Sequence, residues 1–168
     1  MQYRLPTLSD EKELIEYVKE HYENGEHSIS ASLGLPVMNY YEWVNKIQTN
    51  AKIGDNEWGK SLLFICRDHE RIIGLLSIRY ELSNELSARY GDIGYGVRPS
   101  ERRKGYASEM MRFALTVCKE HGMKKVIIGC YKDNLASASL IKKCNGILVK
   151  EDDSYQKGKI SEYYSIVL

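Results

Sequence analysis

The stretch that decides the fold reads Gly91-Asp92-Ile93-Gly94-Tyr95-Gly96-Val97-Arg98-Pro99-Ser100-Glu101-Arg102-Arg103-Lys104-Gly105-Tyr106-Ala107. Its first part, Tyr90–Arg98, has the character of a core strand, and Pro99 closes it because proline cannot continue a central ladder. A tight polar turn follows, and then a helix from about Gly105 to His121. Ala107, Met110, Met111, Ala114, Leu115 and Cys118 form the apolar face of that helix, and Gly122 stops it. Free N–H groups at a helix start, with the positive end of the dipole behind them, make an anion site. Gly105 lets the backbone approach a phosphate closely, and Ala107 keeps the next position small. Arg102, Arg103 and Lys104 add local positive charge, although such a tripeptide alone reads more readily as a solvated basic turn.

Working outward, Val126–Tyr131 reads as a strand and runs into Lys132-Asp133-Asn134. Asn134 caps a helix over Leu135–Cys144, and Ile147–Glu151 and Lys159–Leu168 read as the last strands. On the other side, Leu62–Arg67 and Arg71–Tyr80 flank the hairpin turn Asp68-His69-Glu70, and Glu81–Ala88 is a polar connection. The first third holds a short strand, Tyr3–Leu5, and a helix from about Asp10 to Tyr22 capped by Ser9. Its stripe is Leu14, Ile15, Val18 and Tyr22, and Asn24-Gly25 stops it. After an irregular stretch over His27–Met38, Asn39 and Glu42 open a second helix to about Ile47, buried through Tyr40, Trp43, Val44 and Ile47. Ala51–Lys60 reads as a polar loop. Antiparallel strands followed by a strand–helix–strand–helix–strand run predict a mixed α/β domain and exclude an all-parallel sheet.

The chain has 168 residues, which predicts one domain over 1–168. Lys and Arg number 24 against 23 Asp and Glu, a net charge of +1, which argues against a nucleic-acid binder with its basic face. Cys66, Cys118, Cys130 and Cys144 stand apart with no His ladder, so no metal is expected. His21, His27, His69 and His121 are likewise ungrouped. No signal peptide opens the chain, and the longest apolar runs are strand-sized, so a reduced cytoplasmic protein without membrane contact is expected.

The spacing Arg102-x-x-Gly105-x-Ala107, between a strand and an amphipathic helix, resembles the coenzyme A signature of the GNAT superfamily of N-acetyltransferases. Asn134-x-x-Ser137, with Gly146 after the helix, is similar to the element that follows the fifth strand in that family, so the match spans roughly residues 62–150. The run Ile93–Ala107 with Lys132-Asp133-Asn134-x-Ala136-Ser137 resembles a bacterial subgroup of predicted acetyltransferases with unassigned substrates. The resemblance implies a bent, mostly antiparallel sheet of about six to seven strands with about four helices, its fourth and fifth strands splayed. It implies acetyl-coenzyme A as co-substrate. The pantetheine arm would pair along Tyr95, Gly96 and Val97, and the pyrophosphate would sit on the N–H groups of Arg103, Lys104, Gly105, Tyr106 and Ala107. Arg102, Asn134 and Ser137 complete the coenzyme motif.

For the reaction, the resemblance implies direct attack by a primary amine of a small molecule or protein in a ternary complex. The amide of Tyr95 or Gly96 would be the oxyanion donor. Asp92 is the candidate base, or else an edge-facing solvated carboxylate, and Glu81 and Glu85 are weaker alternatives. The family often has a tyrosine seven residues after the motif asparagine, where it protonates the sulfur. Here that position is Ile141, so the role is not carried over, and Tyr95 or Tyr131 are the phenols that could replace it. The missing phenol leaves a second reading open, a coenzyme A-binding regulatory module with little turnover. Tyr40, Tyr41, Trp43 and Trp58 suggest an aromatic amine pocket, but the helical spacing of Tyr40 and Trp43 favours core packing. A homodimer is compatible with the sequence. A dinucleotide-binding domain is not favoured, because the glycines of Gly91–Gly96 lie inside the strand and not in a turn after it.

Overall fold

The computed structural model describes all 168 residues. In chain order the elements are β1 (Gln2–Arg4), α1 (Glu11–Glu23), α2 (Tyr40–Lys52), β2 (Ser61–Asp68), β3 (Arg71–Arg79), α3 (Asn84–Tyr90), β4 (Ile93–Val97), α4 (Tyr106–Glu120), β5 (Lys125–Tyr131), α5 (Leu135–Lys143), β6 (Ile147–Gln156) and β7 (Lys159–Val167). Short 3-10 turns stand at Leu8–Asp10 and Pro99–Glu101. The strands form two antiparallel sheets, ordered β1-β2-β3-β4 and β5-β7-β6. The mixed α/β class follows, and β4 and β5 are edge strands of separate sheets.

Strand β3 explains the layering. Its residues Ile72 to Ile78 are all buried, as expected of a strand covered on both faces. On one face, α1 and α2 pack Leu14, Tyr17, Trp43, Val44 and Ile47 onto Leu63, Ile65 and Leu75. On the other, α4 brings Met110, Met111 and Ala114 against Leu76, Ile78 and Ile93, and this core continues under α5 through Ile128, Ile141 and Tyr164. Trp43 is fully buried and its Nε1 donates to Ser32 O at 2.9 Å, so the ring contributes both packing and a satisfied polar tip. Gly74 is needed where it stands, because a Cβ there would lie 2.2 Å from the carbonyl oxygen of Gly96 on β4.

Several expectations need correction. The connection after β3 contains a fifth helix, α3: Ser83 Oγ accepts the N–H of Leu86 at 3.3 Å, and Gly91, at φ +74°, ends the helix. Strand β4 is therefore shorter than Tyr90–Arg98, since Tyr90 belongs to that helix. Helix α1 buries Leu14, Tyr17 and His21, whereas Ile15 and Tyr22 are exposed at 59% and 38%. Ser9 is not its cap; Thr7 and Asp10 form a capping box one turn earlier. Helix α2 continues to Lys52, and β6 to Gln156. No helix is long and apolar enough to cross a membrane.

Candidate active site

The seam between β4 and β5 is the site's axis. Arg79 N–H donates to Asp92 O at 2.8 Å and Arg98 N–H to Ile73 O at 2.8 Å, so from the Asp92 carbonyl onward the even-numbered backbone groups of this stretch face β3. Alternation then turns the N–H and C=O groups of Ile93, Tyr95 and Val97 to the open edge. At the base of the seam Asp92 joins the sheets. Its N–H donates to Ile127 O at 2.7 Å and its carboxylate accepts the N–H of Ile127 at 2.6 Å. Asp92 is 3% exposed, which overturns the solvated alternative. Burial pushes its pKa up, against the pull of the Ile127 N–H and the Arg79 charge.

Above the seam lies the loop into α4. Arg103 at φ +61° and Gly105 at φ +88° both take the left-handed conformation in the turn into α4. The N–H groups of Arg103, Lys104, Gly105, Tyr106 and Ala107 donate to no protein acceptor. Five adjacent free donors at the start of a 15-residue helix make a strong anion cradle. The loop is held stiff from below. Glu20 accepts Ser100 N–H at 2.8 Å and pairs with buried Arg98 at 3.3 Å, Arg71 lies 3.4 Å from Glu101, and Tyr106 Oη donates to Asp68 at 2.6 Å.

The side chains of the basic turn behave unlike one another. Arg102, expected among the coenzyme contacts, is turned away from the cradle. Its guanidinium makes bonds of 2.5 and 2.6 Å to Glu26, Nε donates to Val97 O at 3.1 Å, and its own N–H reaches Pro99 O. The Arg102 guanidinium, more than any other partner, holds the Glu26 carboxyl down at about 2. Lys104 pairs with Glu101 at 2.8 Å, so Arg103 alone of the three keeps its charge unpaired beside the cradle. Charge composition singles out the tripeptide; only the fold separates its members.

Across the seam, the structure brings Tyr95 and Ser137 together, with Tyr95 Oη 2.8 Å from Ser137 Oγ. Asn134 positions Ser137 by accepting its N–H at 3.1 Å, as an N-cap should. Burial pushes the Tyr95 phenol up to about 12, so it is a neutral donor near neutral pH. Burial also pushes the nearby Cys130 thiol up. Ile141 is fully buried in the core, and Tyr131 Oη is engaged by Gln156 at 2.8 Å. Glu81 is tied to Lys60, whose N–H it accepts at 2.9 Å, and Glu85 is exposed on α3. Of the early aromatics, Trp43 is core and Tyr40 packs against it, while Trp58 lies at the mouth with its ring 4.8 Å from that of Tyr90. Sequence reasoning missed Arg79, whose Nε and Nη2 donate to the carbonyls of Gly91 and Tyr90 at 2.9 and 3.3 Å. Its one signal was a charge at the end of an apolar strand. No group of three or more His, Cys, Asp or Glu is arranged to hold a metal.

Free amides at a helix start beside an unpaired strand edge, on a split pair of antiparallel sheets, are groups that can receive an anion. Residues 2–146 match the family model described as "Acetyltransferase (GNAT) domain", and the chain belongs to that family of acyltransferases, EC 2.3.1.-. No curated protein matches it in sequence. Among solved structures it is similar to RimL, a ribosomal L7/L12 α-N-protein acetyltransferase in complex with coenzyme A disulfide-bonded to a cysteine. The identity is 18% and the TM-score 0.73, with 99% of this chain and 93% of that one covered. The microcin C7 self-immunity acetyltransferase MccE, in complex with acetyl-CoA and AMP, is 20% identical with a TM-score of 0.71, over 99% and 91% of the two chains. A mutant of the spermidine N-acetyltransferase SpeG from Vibrio cholerae is 15% identical with a TM-score of 0.68, over 99% and 95%. At these identities the likeness is one of fold.

Proposed function

We propose that this protein is an acetyl-coenzyme A-dependent N-acetyltransferase acting on a primary amine, by direct attack with both substrates bound. The observation that carries the reading is the run of five free amides, Arg103 to Ala107, directly above the open edge of β4. The cradle suits a pyrophosphate, and the Tyr95 C=O and Val97 N–H suit the amides of a pantetheine arm. Acetyl-coenzyme A supplies the acetyl group activated as a thioester.

The protein's own groups then divide the work. The Tyr95 N–H, turned into the seam, meets the negative charge that develops on the thioester oxygen. One such preorganised donor is worth about 2.7–4 kcal/mol. The Tyr95–Ser137 hydroxyl pair holds a mobile proton in the same seam and gives it to the departing sulfur, in the role the family's missing phenol would fill. Asp92 acts as a positioning residue: with its carboxylate buried on the Ile127 N–H, it fixes where the seam begins to open. With Asp92 buried, Glu81 tied to Lys60 and Glu85 exposed on α3, the amine is taken up neutral from solution. The rate should therefore follow the acceptor's own pKa. The four free cysteines fit a reducing compartment such as the cytoplasm.

Thiol release from acetyl-coenzyme A over a panel of amines tests this reading, with thermal stabilisation by the coenzyme as its partner measurement. The alternative of a binding module with little turnover is favoured by Ile141 alone, and turnover of any acceptor removes it.

A further inference from the structure

The acceptor side of the seam carries an arrangement that the reaction as described leaves unused. Gly94, Ser77 and Arg79 share one face of the sheet: a Cβ on Gly94 would lie 2.8 Å from Ser77 Oγ, and 3.9 Å from both the Arg79 Nη2 and Ala31. Arg79 is half-buried and held rigidly by the carbonyls of Gly91 and Tyr90. Asp92 reaches it through space without an ion-pair contact, and its Nη1 has no protein acceptor and is not among the buried orphan atoms. A guanidinium fixed through Nε and Nη2, with Nη1 left without a protein acceptor, can take a carboxylate.

Beside it stands a wall of rings. Trp58 lies 4.8 Å from Tyr90, Tyr90 lies 6.2 Å from Tyr155, and Tyr155 lies 6.0 Å from Tyr131. These residues come from the loop before β2, the end of α3, the β6–β7 hairpin and the end of β5, so the wall exists only in the fold. Tyr155 is 54% exposed, an unusual position for a ring with only structural duty. The wall does not suit a cationic guest, because cations already sit on it: Arg89 lies 5.2 Å from the Tyr90 centroid and Lys159 3.7 Å from that of Tyr131. A flat ring attached to an anion fits this surface.

We infer that the acceptor is an α-amino acid with an aromatic side chain, its carboxylate on Arg79 and its ring on the Trp58–Tyr90–Tyr155 wall. This rests on the acetyltransferase reading above. In an α-amino acid one carbon separates carboxylate from amine. Anchoring the carboxylate beside Gly94 therefore sets the amine next to the Tyr95 amide, where the thioester carbonyl is held. The amine nitrogen bonds to the acetyl carbon, the carbon–sulfur bond breaks, the nitrogen's extra proton leaves to solvent, and the sulfur takes its proton from the Tyr95–Ser137 pair.

The test measures thiol release with acetyl-coenzyme A and L-tryptophan, L-phenylalanine, tryptamine, L-leucine and spermidine. The expected kcat/KM for tryptophan exceeds that for tryptamine, which lacks the carboxylate, and that for leucine, which lacks the ring, by tenfold or more. Arg79→Gln should bring the tryptophan-to-tryptamine ratio close to one while acetyl-coenzyme A still stabilises the protein. Should that variant fold poorly, indole-3-propionate tests the parent: with ring and carboxylate but no amine, it should inhibit competitively against the acceptor. Spermidine or tryptamine as the better substrate, an unchanged ratio in Arg79→Gln, or coenzyme binding with no turnover of any amino acid overturns this inference alone. Failure to bind acetyl-coenzyme A overturns the acetyltransferase reading beneath it.

Discussion

Gly105 and Gly122 form a matched pair with which the coenzyme cradle can be tested cleanly. Both are in the left-handed region, at φ +88° and +78°, and a Cβ at either would meet no protein atom within 4 Å. Alanine at each position therefore costs only backbone strain, about 1–2 kcal/mol for an L-residue in that conformation. At this chain length that is a Tm lower by roughly 2–8 °C, and it should be similar for Gly105→Ala and Gly122→Ala. Their ligand behaviour should differ. Gly122 lies at the far end of α4, while Gly105 is the middle residue of the five with free amides. Displacing the anion from one such charge-assisted N–H contact costs about 1.5–3 kcal/mol. Calorimetric titration with acetyl-coenzyme A should then show roughly 10- to 150-fold weaker binding for Gly105→Ala and unchanged binding for Gly122→Ala. Equal affinities in the two variants would refute the cradle, whatever their melting temperatures.

Other outcomes follow from the same geometry. Tyr95→Phe and Ser137→Ala should each lower kcat by about ten- to a hundredfold with little change in coenzyme KM, and the double variant should be no worse than either single one, as steady-state thiol release will show. Asp92→Asn keeps an oxygen for the Ile127 N–H and should hold both stability and the shape of the pH–rate profile. Asp92→Ala should lose about 1–3 kcal/mol by denaturant melting; a lost acid limb in the Asn variant would restore Asp92 as the base. Glu26, whose pKa in the fold falls to about 2, contributes stability that is full above the ordinary carboxylate range and is lost as pH falls towards 2. Melting curves of the parent and of Glu26→Gln should therefore differ at neutral pH and converge in acid.

Much of this was legible before folding, and the failures share a cause. The motif Arg102-x-x-Gly105-x-Ala107 marked the cradle because its chemistry is local: a strand end, a left-handed glycine and a helix start lie within a few residues. The buried stripe of α2 was legible for the same reason. Helix α3 was not, because it has no buried residue; it stands on a Ser83 cap and on Tyr163 Oη donating to Arg89 O at 2.9 Å, a partner 74 positions away. Arg102 reads as part of the coenzyme motif, but its guanidinium is held by Glu26, 76 positions away. The burial of Asp92 was not legible, because no spacing rule shows that Ile127 would bring an amide to it. Arg79 and the ring wall depend on four separate segments meeting at the mouth.

The central claim is that the coenzyme lies on backbone amides at this seam. Titrating isotopically labelled protein with coenzyme A and following backbone amide resonances tests it most directly. The amides of Arg103 to Ala107, together with Tyr95 and Val97, should shift in one saturable process with a common Kd. Shifts confined to other surfaces, with these seven amides unmoved at saturation, would contradict the account.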